Sequence, residues 1–539
     1  MAMQIGRILV SLMLLSLCAA CNDGSGRAAE PVSAGIRDIF AKPIYRNATW
    51  ALRVVDIDSG AIIHDEQGER ALLIGSVRKL FSMAVALDAF GPDRSFRTPV
   101  HRRGSVDAGG TLTGDLILVA SGDPSMGGRT RPDGSFDLSD FDHNEANALG
   151  SAILTAADPL AGYDALARQV AAAGIRRVTG EVIIDDRLFQ PFNFRGEFDI
   201  RPIFVNDDTV DVILRPGQGG AAPQLDWRPK SAAFAVIDNA IAAAPGAGAT
   251  ILLEPELPAC IGIALCSGAV NGALAPDFVP PLNGQLPLVR TFRIVQPANY
   301  ARTVFIEALA RAGVIVAAPA VAPNPASALP TERNYPEATR IAELVSHPLR
   351  DHARHILKVS YNIGADLFTM LYGVSQGQTS FAGALAAELR RLTEGFGIPA
   401  QDMQFVDGSG GGETRATGSA VIRLLQAMRG NAAFADFKAS LPRLGQDGSL
   451  ASINAFAADP ALAGARGQVR AKTGTYVSAS PPGPVLRAQA LAGYITAKSG
   501  KHLAFHLVVN DVGVIRDIAD IITVFEDQGT ISARLWAEH

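Results

Sequence analysis

The spacing of apolar and polar positions changes period several times along the chain. Trp50–Asp56 alternates and reads as a strand, followed by the turn Asp58-Ser59-Gly60. Ser76–Phe90 shifts to helical spacing, with Leu80, Met83, Ala84 and Leu87 on one face and Gly91-Pro92 as the stop. Thr111–Val119 reads as a strand, and 122–140 as a loop rich in Gly, Asp and Pro. A helix is predicted over Tyr163–Ala173 and a strand over Val178–Ile184. Gln218–Pro297 carries short β-like runs among Gly, Pro and Ala, and Tyr300–Gly313 is an amphipathic helix. Ala317–Pro336 is loop-like and marks a domain return. His347–Tyr372 reads as two helical segments, and Ala382–Phe396 and Gly418–Arg429 as further helices. Gln468–Lys472, Leu486–Ala497 and Lys501–Asn510 read as three antiparallel strands, with a turn at Asn510–Asp511 and a terminal helix over Ile515–Phe525. Strands and helices mix without regular βα alternation, which predicts an α+β fold rather than a doubly wound sheet.

The N-terminus has a different character. Arg7 is the only charge in residues 1–21, and the apolar run Ile8–Leu17 is too short to span a bilayer. Residues 1–21 read as a secretory signal peptide. Cys21 follows two alanines and is similar to the lipidated cysteine of a bacterial lipobox. Cys18 departs from that pattern, so simple cleavage is the alternative. Residues 22–35 are small and polar, as in a linker. Export implies a periplasmic protein, tethered to the membrane if Cys21 is lipidated. In an oxidising compartment Cys260 and Cys266 become a short disulfide, with a pair of buried thiols as the alternative.

Composition narrows the class. A chain of 539 residues with 48% hydrophobic and 19% charged residues buries large cores and spans several domains. A net charge of −5 gives no electrostatic footprint for nucleic acid. Lysine is scarce: eight of 48 basic residues. Two of the eight fall in motifs.

Ser76-Val77-Arg78-Lys79 puts a serine and a lysine one helical turn apart, where an unprotonated lysine can activate the hydroxyl and free N–H groups can hold an oxyanion. Ser360-Tyr361-Asn362 says little alone. Lys472-Thr473-Gly474-Thr475 follows a strand; its cation and hydroxyls suit a carboxylate, and its glycine permits close approach. In this order the three are the Ser-x-x-Lys, Ser-x-Asn and Lys-Thr-Gly set of penicillin-interacting serine acyltransferases. The first gap, Ser76 to Ser360, is far longer than the second, Ser360 to Lys472. That spacing resembles the D-alanyl-D-alanine carboxypeptidase/endopeptidase family, the class C low-molecular-mass penicillin-binding proteins of peptidase family S13. Gly122-Asp123-Pro124-Ser125, Val406–Gly410, Leu441-Pro442 with Asp447–Leu450, and Leu491–Thr496 leading to Leu503-Ala504-Phe505 are similar to family signatures.

The resemblance runs from about Trp50 to the C-terminal helix. It implies a penicillin-recognising, β-lactamase-like domain from residues 30–98 and 338–539. Residues 99–337 are then one or two inserted domains, with 218–297 a separate β-rich subdomain. It implies that Ser76 attacks a terminal D-Ala-D-Ala bond or a peptidoglycan crosslink while Lys79 takes its proton. The N–H groups of Ser76 and Thr475 form the oxyanion hole. Ser360 and Lys472 pass a proton to the leaving amine, and Lys472 keeps Lys79 neutral. Asn362 bonds the acyl side, and Lys472, Thr473 and Thr475, around Gly474, hold the carboxylate. Asp123 binds the amino group of a peptidoglycan side chain, with a loop-capping carboxylate as the alternative. Stem peptides and β-lactams are the implied partners, and neither a metal nor an organic cofactor is required.

The chain departs from the family at Gly75 and Val77-Arg78, where Pro and Asn are usual, at Tyr361, and in the glycine-rich run after Asp407. The rival readings are a β-lactamase or related serine esterase and a non-catalytic cell-wall-binding protein. Gly373-Val374-Ser375-Gln376-Gly377 matches a nucleophile elbow, with His502 or His506 as partner, but the segment before it reads as helix. His347, His352 and His355 cluster without the spacing of a zinc helix.

Overall fold

Strands from opposite ends of the chain meet in one antiparallel sheet. A computed structural model describes residues 29–480, 483–516 and 518–539. The sheet has the order Ile62–Glu66, Thr49–Asp56, His502–Val514, Gly483–Thr496, Val469–Ser480. Thr49–Asp56 pairs with the C-terminal strand from Thr49 opposite Asn510 to Asp56 opposite Leu503. Alternation explains why both faces are covered. Ala51, Val55, Ala490, Ala492, Ala504 and Val508 face one core, shared with the helices Lys79–Phe90 and Gly418–Arg429. Leu52, Val54, Leu491, Leu503, Phe505, Leu507 and Val509 face the other, against the terminal helix Ile518–Glu538. Each such aliphatic or aromatic side chain contributes about 1.5–3 kcal/mol by burial.

The three late strands are longer than predicted. Asn510 does not begin a turn: its side chain bonds the backbone N and O of Leu73 at 2.8 and 2.9 Å. Asp511 takes a left-handed backbone (φ 55°) and the strand runs on to Val514. The terminal helix starts later and ends later than predicted. In the fold Asp527 accepts from Tyr45 Oη at 2.6 Å and from Lys42 Nζ at 2.5 Å, and Gly529 gives Ile453 room that a Cβ would take.

A second, six-stranded sheet has Arg97–Val106 and Thr111–Val119 at its centre. The strand predicted over Val178–Ile184 is two, Arg177–Val178 and Val182–Asp185, each parallel to Thr111–Val119. Residues 218–297 hold short strands, including the parallel pair Ala235–Asp238 and Ser267–Asn271. Cys260 and Cys266 are disulfide-bonded there. Residues 1–21, with the lipidation candidate Cys21, lie outside the described residues, as do residues 22–28 of the 22–35 linker. Among the described residues no helix is long and apolar enough to cross a membrane.

Candidate active site

The first motif lies where the edge strand meets a tight turn. Gly75–Arg78 is a 3-10 turn that leads into the helix Lys79–Phe90, so Ser76 sits just ahead of the α-helix rather than in it. The edge strand Val469–Ser480 crosses this turn at Gly474. A Cβ on Gly474 would lie 2.2 Å from the Ile74 carbonyl oxygen and 3.1 Å from Ser76 N, closer than any side chain tolerates. Lys79 Nζ is 2.7 Å from Ser76 Oγ, 2.6 Å from Asn362 Oδ1 and 2.8 Å from the Ser409 carbonyl. Two of these partners only accept, and the third can donate. A neutral amine satisfies all three, giving its two N–H groups to the carbonyls and its lone pair to the hydroxyl. Burial, followed by the Arg195 charge, pushes the Lys79 ammonium down to about 7, against Glu145, Asp407 and Asp366.

The second and third motifs meet alongside. Ser360 ends the helix Leu349–Val359 in a left-handed conformation (φ 66°), and the helix Asn362–Ser375 begins two residues later. This break turns Ser360 Oγ toward Lys472 Nζ at 3.0 Å. Lys472 also donates to the Thr473 carbonyl at 2.8 Å. Burial, then the charge of Lys79, lowers the Lys472 ammonium well below its ordinary range. Thr473 Oγ1 shares a 2.8 Å hydrogen bond with Ser449 Oγ, and Thr475 Oγ1 donates to Gln489 Oε1 at 3.0 Å. Asn362 is held at both ends of its amide: Oδ1 accepts from Lys79 and Nδ2 donates to Glu145 Oε1 at 3.0 Å.

A cavity of about 680 Å³ opens over these groups. Ser76, Ser360, Asn362, Thr473 and Thr475 line it, with Asp140, Asp142 and Glu145 on one wall. Ile518, Ile521, Ile522 and Phe525 form an apolar wall from the first turns of the terminal helix. The sequence reading missed Glu145 and Arg195, because lone charges in a long connection carry no motif. It flagged the Val406–Gly410 signature but not its use: Ser409 supplies the carbonyl that holds Lys79.

Arg78, one of the departures, is a structural residue. It is fully buried, pairs with Glu388 at 2.5 and 3.1 Å, and donates from Nε to the Asp407 carbonyl at 2.9 Å. Arg78→Ala should lower unfolding free energy by about 3–5 kcal/mol, because Glu388 is left buried and unpaired. Urea melts check this, and the double variant with Glu388→Gln should recover part of the loss.

Asp123 is not brought to the cavity. It is buried, and its Oδ1 caps the loop by accepting from Ser125 N and Oγ, both at 2.9 Å. Ser375 ends a helix and donates to the Tyr372 carbonyl at 2.6 Å, so it stands on no strand-turn-helix elbow. His506 is buried on the central strand, and His502 bonds Asp58 at 2.9 Å. Asp142, Asp207 and His355 lie close enough to share an ion. Arg129 holds both carboxylates instead, with Nη1 donating to Asp142 at 2.6 Å and Nε to Asp207 at 2.8 Å.

The family model described as "D-Ala-D-Ala carboxypeptidase 3 (S13) family" matches residues 32–529. The D-alanyl-D-alanine carboxypeptidase of Actinomadura sp. (strain R39) is 27% identical over 530 residues, 93% of this chain and 85% of the relative. Carboxypeptidase DacB of Mycolicibacterium smegmatis is 31% identical over 179 residues, 32% of this chain and 36% of the relative. Penicillin binding protein 4 (dacB) from Haemophilus influenzae superposes with a TM-score of 0.65 at 18% identity, over 94% of this chain and 99% of that one. The same protein complexed with a β-lactam gives 0.64. The shared fold is α+β and penicillin-recognising, as expected from sequence.

Proposed function

The chain belongs to the D-Ala-D-Ala carboxypeptidase S13 family, and from that premise we propose that it cleaves D-Ala-D-Ala peptides of peptidoglycan through an acyl-enzyme on Ser76. The observation that carries this reading is the three-way contact of Lys79 Nζ with one hydroxyl and two carbonyls.

Lys79 takes the Ser76 proton as Oγ attacks the carbonyl carbon. The N–H groups of Ser76 and Thr475 receive the oxyanion. The C–N bond then breaks as the proton held by Lys79 passes through the Ser360–Lys472 pair to the leaving amine, leaving both lysines as they began. Water attacks the ester carbonyl in turn, giving its proton to Ser76 Oγ through the freed Lys79 amine and releasing the shortened peptide. Lys472, Thr473 and Thr475 hold the substrate carboxylate, with Gly474 leaving room for its backbone. Asn362, fixed by Glu145, keeps Lys79 aimed at Ser76 and bonds the acyl side of the substrate. Terminal D-Ala and crosslinked peptides are both substrates in this reading, and a β-lactam acylates Ser76 in the dipeptide's place. The acyltransferase domain comprises residues 30–98 and 338–539 around the 99–337 insertion. The working compartment is the periplasm, reached by a signal peptide over 1–21, with Cys21 as the candidate lipid anchor.

The test is intact mass and peptide mapping after incubation with benzylpenicillin. We expect one adduct, on the peptide containing Ser76, and none in Ser76→Ala. Intact β-lactam with no adduct would overturn the assignment of the nucleophile. Hydrolysed β-lactam with no adduct would make the protein a β-lactamase instead.

A further inference from the structure

The hairpin of Phe192–Phe194 and Phe198–Ile200 is far in sequence from all three motifs, yet its tip reaches the cavity. It is anchored at its base, where Phe192 stacks on Phe381 with ring centroids 4.1 Å apart and planes within 4°. At the tip Arg195 adopts a left-handed backbone (φ 53°), directly before Gly196, which is also left-handed. A long side chain in that conformation persists only where its surroundings over-determine it. Here they do. Arg195 Nη2 donates to Ser409 Oγ at 2.9 Å and lies 3.6 Å from Asp407 Oδ2. Its Nε lies 2.7 Å from where a Cβ on Gly411 would be, so the glycine-rich run makes the seat for the guanidinium. The other side of the same serine, its carbonyl, accepts from Lys79 Nζ at 2.8 Å.

We propose that Arg195 is a positioning residue for acylation. From the hairpin it pins the Asp407–Gly412 loop over Lys79 and adds one positive charge beside the Ser76–Lys79 pair. This rests on the Ser76–Lys79 reading above. The groups facing Lys79 come from every element around it: Glu145 from the cavity wall, Asp366 from the helix Asn362–Ser375, Asp407 from the loop, and Lys472 from the edge strand. The three carboxylates favour the ammonium, and the Arg195 charge favours the free amine. Lys472 opposes the acidic groups little, because burial holds its own ammonium well below the ordinary range. Arg195 is therefore the cation that offsets the acidic ring. The glycine-rich departure after Asp407 then has a use at Gly411, where a side chain would crowd the guanidinium.

The experiment is the second-order rate constant for acylation by benzylpenicillin from about pH 5 to about pH 10, in wild type, Arg195→Gln, Arg195→Lys and Arg195→Ala. Glutamine keeps a hydrogen-bond donor for Ser409 and loses the charge; lysine keeps the charge. The expected result is that the acid limb moves to higher pH in the Gln and Ala variants. They are then several-fold slower at neutral pH and converge with wild type on the alkaline plateau. Arg195→Lys should keep the wild-type limb. If Arg195→Ala does not fold, the Gln and Lys variants carry the comparison. A loss by the same factor at every pH, or an unmoved limb in Arg195→Gln, would overturn the inference while leaving the Ser76 reading standing. A wild-type protein that takes no adduct would overturn that reading itself.

Discussion

Lys79→Ala is expected to slow acylation of Ser76 by about 10²–10⁴-fold, the range that a positioned proton acceptor contributes. The wild-type rate should follow the neutral fraction of Lys79. With the ammonium held down to about 7, the base is present above that pH. The rate should fall about tenfold per pH unit below it. The direction follows from the cause. Burial penalises the charged form, so the folded protein releases the Lys79 proton at lower pH than the unfolded chain does. Between about pH 7 and about pH 10 the unfolded state therefore binds the extra proton, and this group's contribution to folding stability rises with pH. Acylation kinetics against pH, with urea melts at the same values, check both signs. A rate independent of pH below neutrality would mean that some other group takes the Ser76 proton.

Gly474→Val should be nearly as severe through a different cause. The valine Cβ would occupy the place of the Ile74 carbonyl oxygen, and its branches would press on the N–H groups of Ser76 and Val77. The strand must move back or the turn must yield. Overpacking of this kind costs about 1–3 kcal/mol. A shift of about 1 Å between nucleophile and strand lowers the rate by about 10²-fold. Both losses should appear together, as a lowered midpoint in urea and slowed acylation. Gly483→Ala, on the neighbouring strand, is the control. The new methyl meets only Val514 at an ordinary 3.6 Å and should leave acylation within about twofold of wild type. If Gly474→Val acylates normally, the close approach is irrelevant to the chemistry.

Much of this was legible in the sequence, for identifiable reasons. The three motifs were readable because each carries its chemistry within four residues, and their order identified the family before any coordinates. The pair of helices around Ser360 was readable from spacing. What sequence did not give were the contacts made across hundreds of residues. Glu145 and Arg195 are single charges in segments with no period, and only folding sets them against Asn362 and Ser409. Asp123 shows the converse. It stands in a signature-like segment and reads as a ligand, yet its carboxylate caps a buried loop. The ends of elements were misread where tertiary partners replaced local signals. Asn510 looks like a turn until Leu73 takes both ends of its amide, and the terminal helix runs on past Phe525, where Lys42, Tyr45 and Ile453 pack on it.

The pairing of the first strand with the last sets a timetable for synthesis. Asn510, which clamps Leu73 just before the nucleophile turn, is 437 residues further along the chain. At roughly 5–20 residues per second a ribosome needs about 20–90 s to make that length. Through that interval Thr49–Asp56 has only Ile62–Glu66 beside it in the sheet, and the Ser76 turn has no edge strand to close on. The nucleophile and its lysine are thus among the first parts made, and the frame that aligns them is among the last. A chain cut short before Gly483–Thr496 and His502–Val514 keeps every residue of the three motifs but not the sheet that sets Val469–Ser480 against the Ser76 turn. Nascent chains should therefore be inert toward β-lactams until His502–Val514 has docked, so that pairing of the late strands is itself the switch.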